Sequence, residues 1–250
     1  MGAVHGVYLK YVALSAISYA CYSACGEAAE DDAFPLMIGR HVLAYSTAVN
    51  GVIAALFKLR WGMGLLGKDQ ITGQIPTWSY ILWFPFHYPT LLYTHLHNKK
   101  DQNKKPPVPP ASEVLPGWWV GGCYGHLIEN IKWAGVVDLT SEFPETTEND
   151  AYLLVASWDG VPPNPEKLEE AATFANEAHK KGHVLVHCAH GRGRSTTVMC
   201  AALVKAGEAD TYEEALKLIQ KGRSVCKLNS SMRKALSAWQ ATYIDGKKSK

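Results

Sequence analysis

Val184–Ser195, VLVHCAHGRGRS, constrains this chain more than any other stretch. Val184–Leu185–Val186 reads as a buried strand, and Ser195–Ala206 reads as a helix ended by Gly207. A strand passing into a helix through so short a turn belongs to an α/β domain with a mostly parallel sheet. Such sheets place their sites at the carboxyl ends of their strands. At a helix N-terminus backbone N–H groups converge and the helix dipole favours anions. Cys188 in that field should be held as thiolate. Gly191 and Gly193 let the backbone curl with its N–H groups inward. Arg194 offers a planar fork to two oxygens of an anion, and the Ser195 hydroxyl can hydrogen-bond the sulfur. A buried structural Cys on a βα turn would leave the glycines and Arg194 unexplained.

At His187–Cys188–Ala189–His190–Gly191–Arg192–Gly193–Arg194–Ser195 the chain resembles the cysteine-dependent phosphatases, the protein-tyrosine and dual-specificity superfamily, with its HCxxGxxRS signature. The resemblance runs from about Glu113 to Ile244 and is to the small dual-specificity members. The larger tyrosine-specific members carry an extra recognition loop for which there is no room here. The resemblance implies Cys188 as nucleophile, a phosphocysteine intermediate, and Ala189, His190, Gly191, Arg192, Gly193 and Arg194 as the phosphate-binding loop. It further implies Ser195 assisting departure of the sulfur, His187 supporting the loop, and no metal or other cofactor. Ser157–Trp158–Asp159–Gly160–Val161–Pro162–Pro163 resembles the family's general-acid loop, with Asp159 on a mobile loop as proton donor.

The surrounding pattern fits that domain. Trp118–Gly122 reads as a first strand and turn, His126–Trp133 as a helix, and Val136–Thr140 and Tyr152–Ala156 as strands. Asn164–Pro165 opens a helix with a cap residue and a proline at its first position. Thr211-x-x-Glu214 is a capping box, and Met232, Leu236, Trp239 and Tyr243 stripe a last helix. Asp138 reads as structural, and Glu142, Glu145, Glu148 and Asp150 as a solvated loop.

The first half differs. Tyr11–Gly26 and Val42–Phe57 are uncharged runs, and residues 70–98 hold no Lys, Arg, Asp or Glu. The third run is broken by Pro76, Pro85 and Pro89 and rich in aromatic residues, which suits a re-entrant or interfacial segment. His87, His95 and His97 there read as aromatic packing rather than metal ligands. Acidic residues Glu27, Glu30, Asp31 and Asp32 separate the first two runs, and Lys58 and Arg60 follow the second. The positive-inside bias then puts the N-terminus and residues 58–68 on the cytosolic or matrix-like side. A soluble helical domain is the alternative, since each run is short and holds polar groups such as Ser46 and Asn50. The expected organisation is a membrane-associated helical region at 1–105 with about two spans, a Pro-rich linker at 106–112, a catalytic domain at 113–244 and a basic tail at 245–250.

A formal net charge of +2 leaves no nucleic-acid footprint. The six Cys show no C-x-x-C pair, and a nucleophilic Cys188 requires a reducing compartment. The sequence therefore reads as a membrane-anchored phosphatase facing a reducing compartment. His190 and Arg192 would add positive character for a lipid headgroup phosphate. The alternatives are a phosphoprotein substrate, or a silent phosphate-binding scaffold. Oligomeric state is left open.

Overall fold

The computed structural model describes residues 4–28 and 34–246. The acidic side chains between the first two runs, Glu27, Glu30, Asp31 and Asp32, and the end of the basic tail, 247–250, lie outside what is described. The second half is an α/β domain. Strands β1 (Ala111–Leu115), β2 (Trp118–Gly121), β3 (Trp133–Thr140), β4 (Tyr152–Ser157) and β5 (His183–His187) form one sheet in the order β1-β2-β5-β3-β4. Only the β1–β2 pair is antiparallel; β5 lies parallel between β2 and β3. The central strand is thus the one that ends at Cys188, so both neighbours converge on the same loop.

Helices α5 (Pro165–His179), α6 (Arg194–Ala206), α7 (Tyr212–Gly222) and α8 (Ser230–Gln240) complete the domain. Residues 194–204 of α6 are all buried, which accounts for the small and apolar residues after Thr197. Val198, Cys200, Ala201 and Leu203 share one core with Val186 of β5, Leu168 of α5 and Trp239 of α8. Asn164 and Thr211 cap α5 and α7 as the sequence suggests, their side chains accepting from Lys167 N and Glu214 N.

Two elements differ from expectation. His126–Trp133 is not a helix: a single 3₁₀ turn covers Gly125–Leu127, and Trp133 already belongs to β3. Asn130 adopts φ 63°, a left-handed conformation at which a right-handed helix must stop. The linker is also shorter than 106–112, because Ala111 opens β1 and pairs with Gly121.

The first half is helical. Helices α1 (Val4–Ala28) and α2 (Phe34–Leu59) pack on each other, and α2 is the one described helix long and apolar enough to cross a membrane. The third run divides at Trp83 into α3 (Thr77–Leu82) and α4 (Phe84–Gln102). Pro85 sits in the first turn of α4, where its missing N–H costs nothing. The helix continues past Asn98, with Lys99 and Lys100 in its last turn, where the dipole favours cations. Among the described residues, every large hydrophobic residue that is well exposed, except Leu127, lies between Leu9 and Leu96. Apolar exposure on that scale marks a surface made for a partner or a bilayer.

The two halves are held by more than the linker. Trp158 is fully buried beneath the first half: its ring stacks on Phe57 at 4.4 Å and its Nε1–H donates to Trp61 O at 2.7 Å. Tyr11, Ile53, Leu66 and Phe86 share that cluster with Trp158 and Val161.

Candidate active site

The turn after β5 has the geometry its sequence requires. Gly191 adopts φ 63°, and a Cβ there would lie 2.5 Å from the Gly121 carbonyl carbon, so no other residue fits. Gly193 is different. Its φ of −118° suits any residue, but a Cβ would meet Met232 Cε at 3.0 Å, so the glycine provides room for α8.

Cys188 is buried at the foot of this loop, with its Sγ 3.4 Å from Ser195 Oγ. Burial alone would raise its thiol pKa. The Arg194 guanidinium, the Ser195 hydroxyl and N–H, and the Arg192 N–H outweigh burial, and the net shift is downward. Arg194 is buried too. Its Nη1 donates to Ser157 O at 2.6 Å and Leu139 O at 3.0 Å, and its Nη2 donates to Glu142 Oε1 at 2.7 Å. Burial works against the charged guanidinium, but Glu142, Asp159 and Cys188 reverse this and hold it protonated. Its Nε–H is buried without a partner, a donor still free for an oxyanion. Asp159, 40% exposed at its side chain, lies with Oδ1 3.6 Å from Arg194 Nη2.

Several residues stand elsewhere than the sequence suggests. Glu142 and Glu145 do not belong to a solvated loop; both are buried. Glu142 anchors Arg194, and Glu145 Oε2 is 2.7 Å from His187 Nε2. The periodicity of that stretch carried no signal for this. Its position just after a strand that neighbours β5 was the only available clue. Asp138 is structural as expected, fully buried with Oδ1 3.6 Å from His187 Nε2. Burial would lower the His187 pKa, but Asp138 and Glu145 together raise it. Asp138, Glu145 and His187 offer ligand atoms within 4.8 Å of one another, but the Lys68 ammonium is already paired with Asp138 there.

His190 and Arg192 do not add free positive charge to the loop. Burial, opposed by Asp159, lowers the His190 pKa to about 4, and its ring packs on His97 at 4.5 Å. Arg192 Nη2 donates to both carboxylate oxygens of Asp101 on α4, at 2.6 and 2.8 Å. The Trp158–Asp159 loop is also pinned rather than free, by the burial of Trp158 and by Asn229 Nδ2 donating to Gly160 O at 2.9 Å.

A family model described as the dual specificity phosphatase catalytic domain matches residues 127–242, which include Cys188, Arg194 and Asp159. The domain belongs to the cysteine-dependent protein-tyrosine and dual-specificity phosphatase superfamily. Among curated relatives, the phosphatase domain is similar to a probable dual specificity protein phosphatase of Dictyostelium discoideum, 27% identical over 52% of this chain and 34% of the relative. It is also similar to dual specificity protein phosphatase 12 of Mus musculus, 29% identical over 58% of this chain and 47% of that protein. The chain thus spans less than half the length of either relative. The phosphatase fold matches a mouse dual specificity phosphatase crystallised with zinc tungstate, with TM-score 0.50, 21% identity and coverage of 56% of this chain and 91% of that one.

Proposed function

We propose that this protein is a cysteine-dependent phosphatase that hydrolyses a phosphate monoester on a lipid headgroup, with residues 1–105 associated with a membrane and the site facing a reducing compartment. In the first step the Cys188 thiolate attacks phosphorus. An S–P bond forms, the P–O ester bond breaks, and Asp159 gives its proton to the leaving alkoxide. In the second step Asp159 takes a proton from water, the hydroxide displaces sulfur, and inorganic phosphate leaves. Ser195 hydrogen-bonds the departing thiolate. Arg194 and the N–H groups of residues 189–194 hold the phosphoryl oxygens, where charge must be stabilised. His187 supports the loop. No step calls for a metal ion.

The observation that carries the lipid reading is a cavity of about 310 Å³ beside the phosphate loop. Asp159, Ala189 and His190 line it from the catalytic domain; Val7, Leu14 and Ile17 of α1 and Pro89 of α4 line it from the first half. A slot with the general acid and two residues of the phosphate loop at one side and an apolar helical wall at the other suits a phosphate attached to a hydrophobic body. Lys10 also lines the cavity, with its ammonium 4.3 Å from the centre of the Tyr93 ring, within reach of a second anionic group. The support for lipid thus comes from α1 and α4, not from His190 and Arg192.

The names of the curated relatives favour the rival, a phosphoprotein substrate. The two are separated by kcat/KM on phosphoinositide or phosphatidylglycerophosphate vesicles against phosphotyrosine and phosphothreonine peptides, with the full chain in lipid. Preference for vesicles supports the lipid reading; peptides better by about tenfold or more overturn it. A chain that hydrolyses neither, nor a small aryl phosphate, is a phosphate-binding scaffold instead.

A further inference from the structure

Lys68 lies between α2 and α3, in the half of the chain without a signature residue, yet its side chain is only 2% exposed. Its ammonium pairs with the Asp138 carboxylate and donates to Thr140 Oγ1 at 2.9 Å and Thr140 O at 3.1 Å. An ammonium has three donors, and all three are used on the catalytic domain. Asp138 is the register partner of His187 across β3 and β5. The same His187 nitrogen that approaches Asp138 bonds Glu145, and His187 is followed directly by Cys188.

Four ionisable groups are therefore buried together at the residue that precedes the nucleophile: Asp138, Glu145, His187 and Lys68. With Lys68 present the set holds two carboxylates against two cations. Without it one carboxylate is uncompensated in a site closed to water, an arrangement that strongly disfavours the charged form. The segment around Lys68 is fitted to the same place. Glu145 N donates to Gly73 O at 2.9 Å, and Gln74 Nε2 donates to Glu145 O at 2.7 Å. Gly73 has φ 66°, and a Cβ on it would lie 2.6 Å from Glu145 Cβ and 2.5 Å from the Tyr152 hydroxyl, which itself donates to Asp138.

We propose that Lys68 is a positioning residue for the phosphatase site: supplied by the membrane-associated half, it neutralises Asp138 and so holds His187 and the Cys188 thiolate in their working arrangement. The inference rests on the phosphatase reading above. It makes the catalytic domain incomplete without the loop before α3. The other groups that face Cys188 are Arg194 and Ser195 of α6, Cys123 after β2, and Arg223 and Cys226 after α7; those that face Asp138, besides Lys68 and His187, are Thr140, Tyr152 and Glu145. None of these is altered in the test.

The test uses the full chain in detergent as wild type, Lys68→Met, Lys68→Arg and the double variant Lys68→Met/Asp138→Asn. The readout is the pH dependence of iodoacetamide alkylation at Cys188, followed by mass spectrometry, with aryl phosphate hydrolysis in parallel. In Lys68→Met the uncompensated Asp138 carboxylate repels the thiolate, so the alkylation midpoint moves up by roughly 0.5–1 pH unit, and kcat falls by about tenfold. Lys68→Arg retains most activity, and the double variant returns the midpoint to the wild-type value because both charges are gone. An unchanged midpoint and kcat in Lys68→Met overturns the proposal, as does a double variant displaced as far as the single one. If Lys68→Met does not fold, the double variant against wild type decides alone: an equal midpoint supports charge balance, a shifted one refutes it. Alkylation needs no turnover, so a wild type that fails to hydrolyse phosphate sinks the phosphatase reading while the Lys68 result still stands or falls separately.

Discussion

Removing the Glu142 carboxylate should separate two properties that mechanistic accounts usually move together, the rate and the thiolate. Glu142 accepts from Arg194 Nη2 at 2.7 Å and from Nη1 at 3.4 Å, and both side chains are nearly inaccessible. A charge-assisted bond of that kind contributes about 1.5–3 kcal/mol, and removing one partner of a buried pair costs about 3–5 kcal/mol. The Leu139 and Ser157 carbonyls still hold Nη1, so Glu142→Gln should lie near the lower figure and Glu142→Ala near the upper. The catalytic loss comes from orientation. A fork displaced by about 1 Å from the phosphoryl oxygens costs roughly 10²-fold in rate. The thiol should move the other way. Deleting a negative charge beside Arg194 leaves its positive field on Cys188 less opposed, so the thiol pKa falls further. The assay is kcat/KM on a small aryl phosphate against the alkylation profile of Cys188, in Glu142→Gln and Glu142→Ala. The expected result is a rate lower by about 10²-fold with an alkylation midpoint at or below wild type. Unchanged turnover in both variants, with the folded state intact by circular dichroism, would refute the reasoning.

Cys188→Ser and Arg194→Met should each abolish turnover, and full activity in either, measured on aryl phosphate, removes the mechanism. Asp159→Asn should lower kcat by roughly 10²–10⁴, with the smallest loss for the best leaving group in a series of aryl phosphates. Asn164→Ala removes the side chain that accepts from Lys167 N at 2.8 Å, and should cost about 1 kcal/mol in urea unfolding without changing kcat. Burial opposes ionisation of Asp101, but Lys104 and Arg192 outweigh it and lower its pKa to about 2. A depressed carboxylate stabilises the fold above its unfolded pKa of about 3.9 and loses that contribution as pH falls toward 2. Arg192→Ala should therefore destabilise the protein at neutral pH and narrow the gap to wild type in acid, and a constant gap by thermal unfolding at pH 7 and pH 3 would count against the pair. Leu14→Trp narrows the cavity and should reduce kcat/KM on vesicles by about tenfold more than on aryl phosphate; equal losses would detach the cavity from substrate choice.

The local grammar of this chain was readable without coordinates. The strand–turn–helix at Val184–Ala206 depends on short-range properties: branched residues that fill a buried strand, a glycine where only positive φ fits, and a helix start that concentrates N–H groups. The caps at Asn164 and Thr211 are equally local, each reaching three residues along the chain. Such rules fail where tertiary context intervenes, as at 126–133, which reads as a helix but turns extended at Ile128 and passes through a left-handed Asn130 into β3.

What tertiary structure alone decided is which charges are free. Glu142, Glu145, Arg192 and Lys68 all have the composition of solvated residues, and nothing within a few positions distinguishes them from Glu148 or Lys99. Their partners lie between 42 and 91 residues away. Pairing over that span depends on β3 lying beside β5 and on the α2–α3 loop and α4 packing over the same edge. The same packing turned a Pro-rich connection into one contact among many and built a cavity from both halves. Sequence determined the reactive loop because its chemistry is encoded in consecutive residues; only the folded chain could assign the second ring of charge that holds the loop, because burial and partner choice are properties of distant segments brought together.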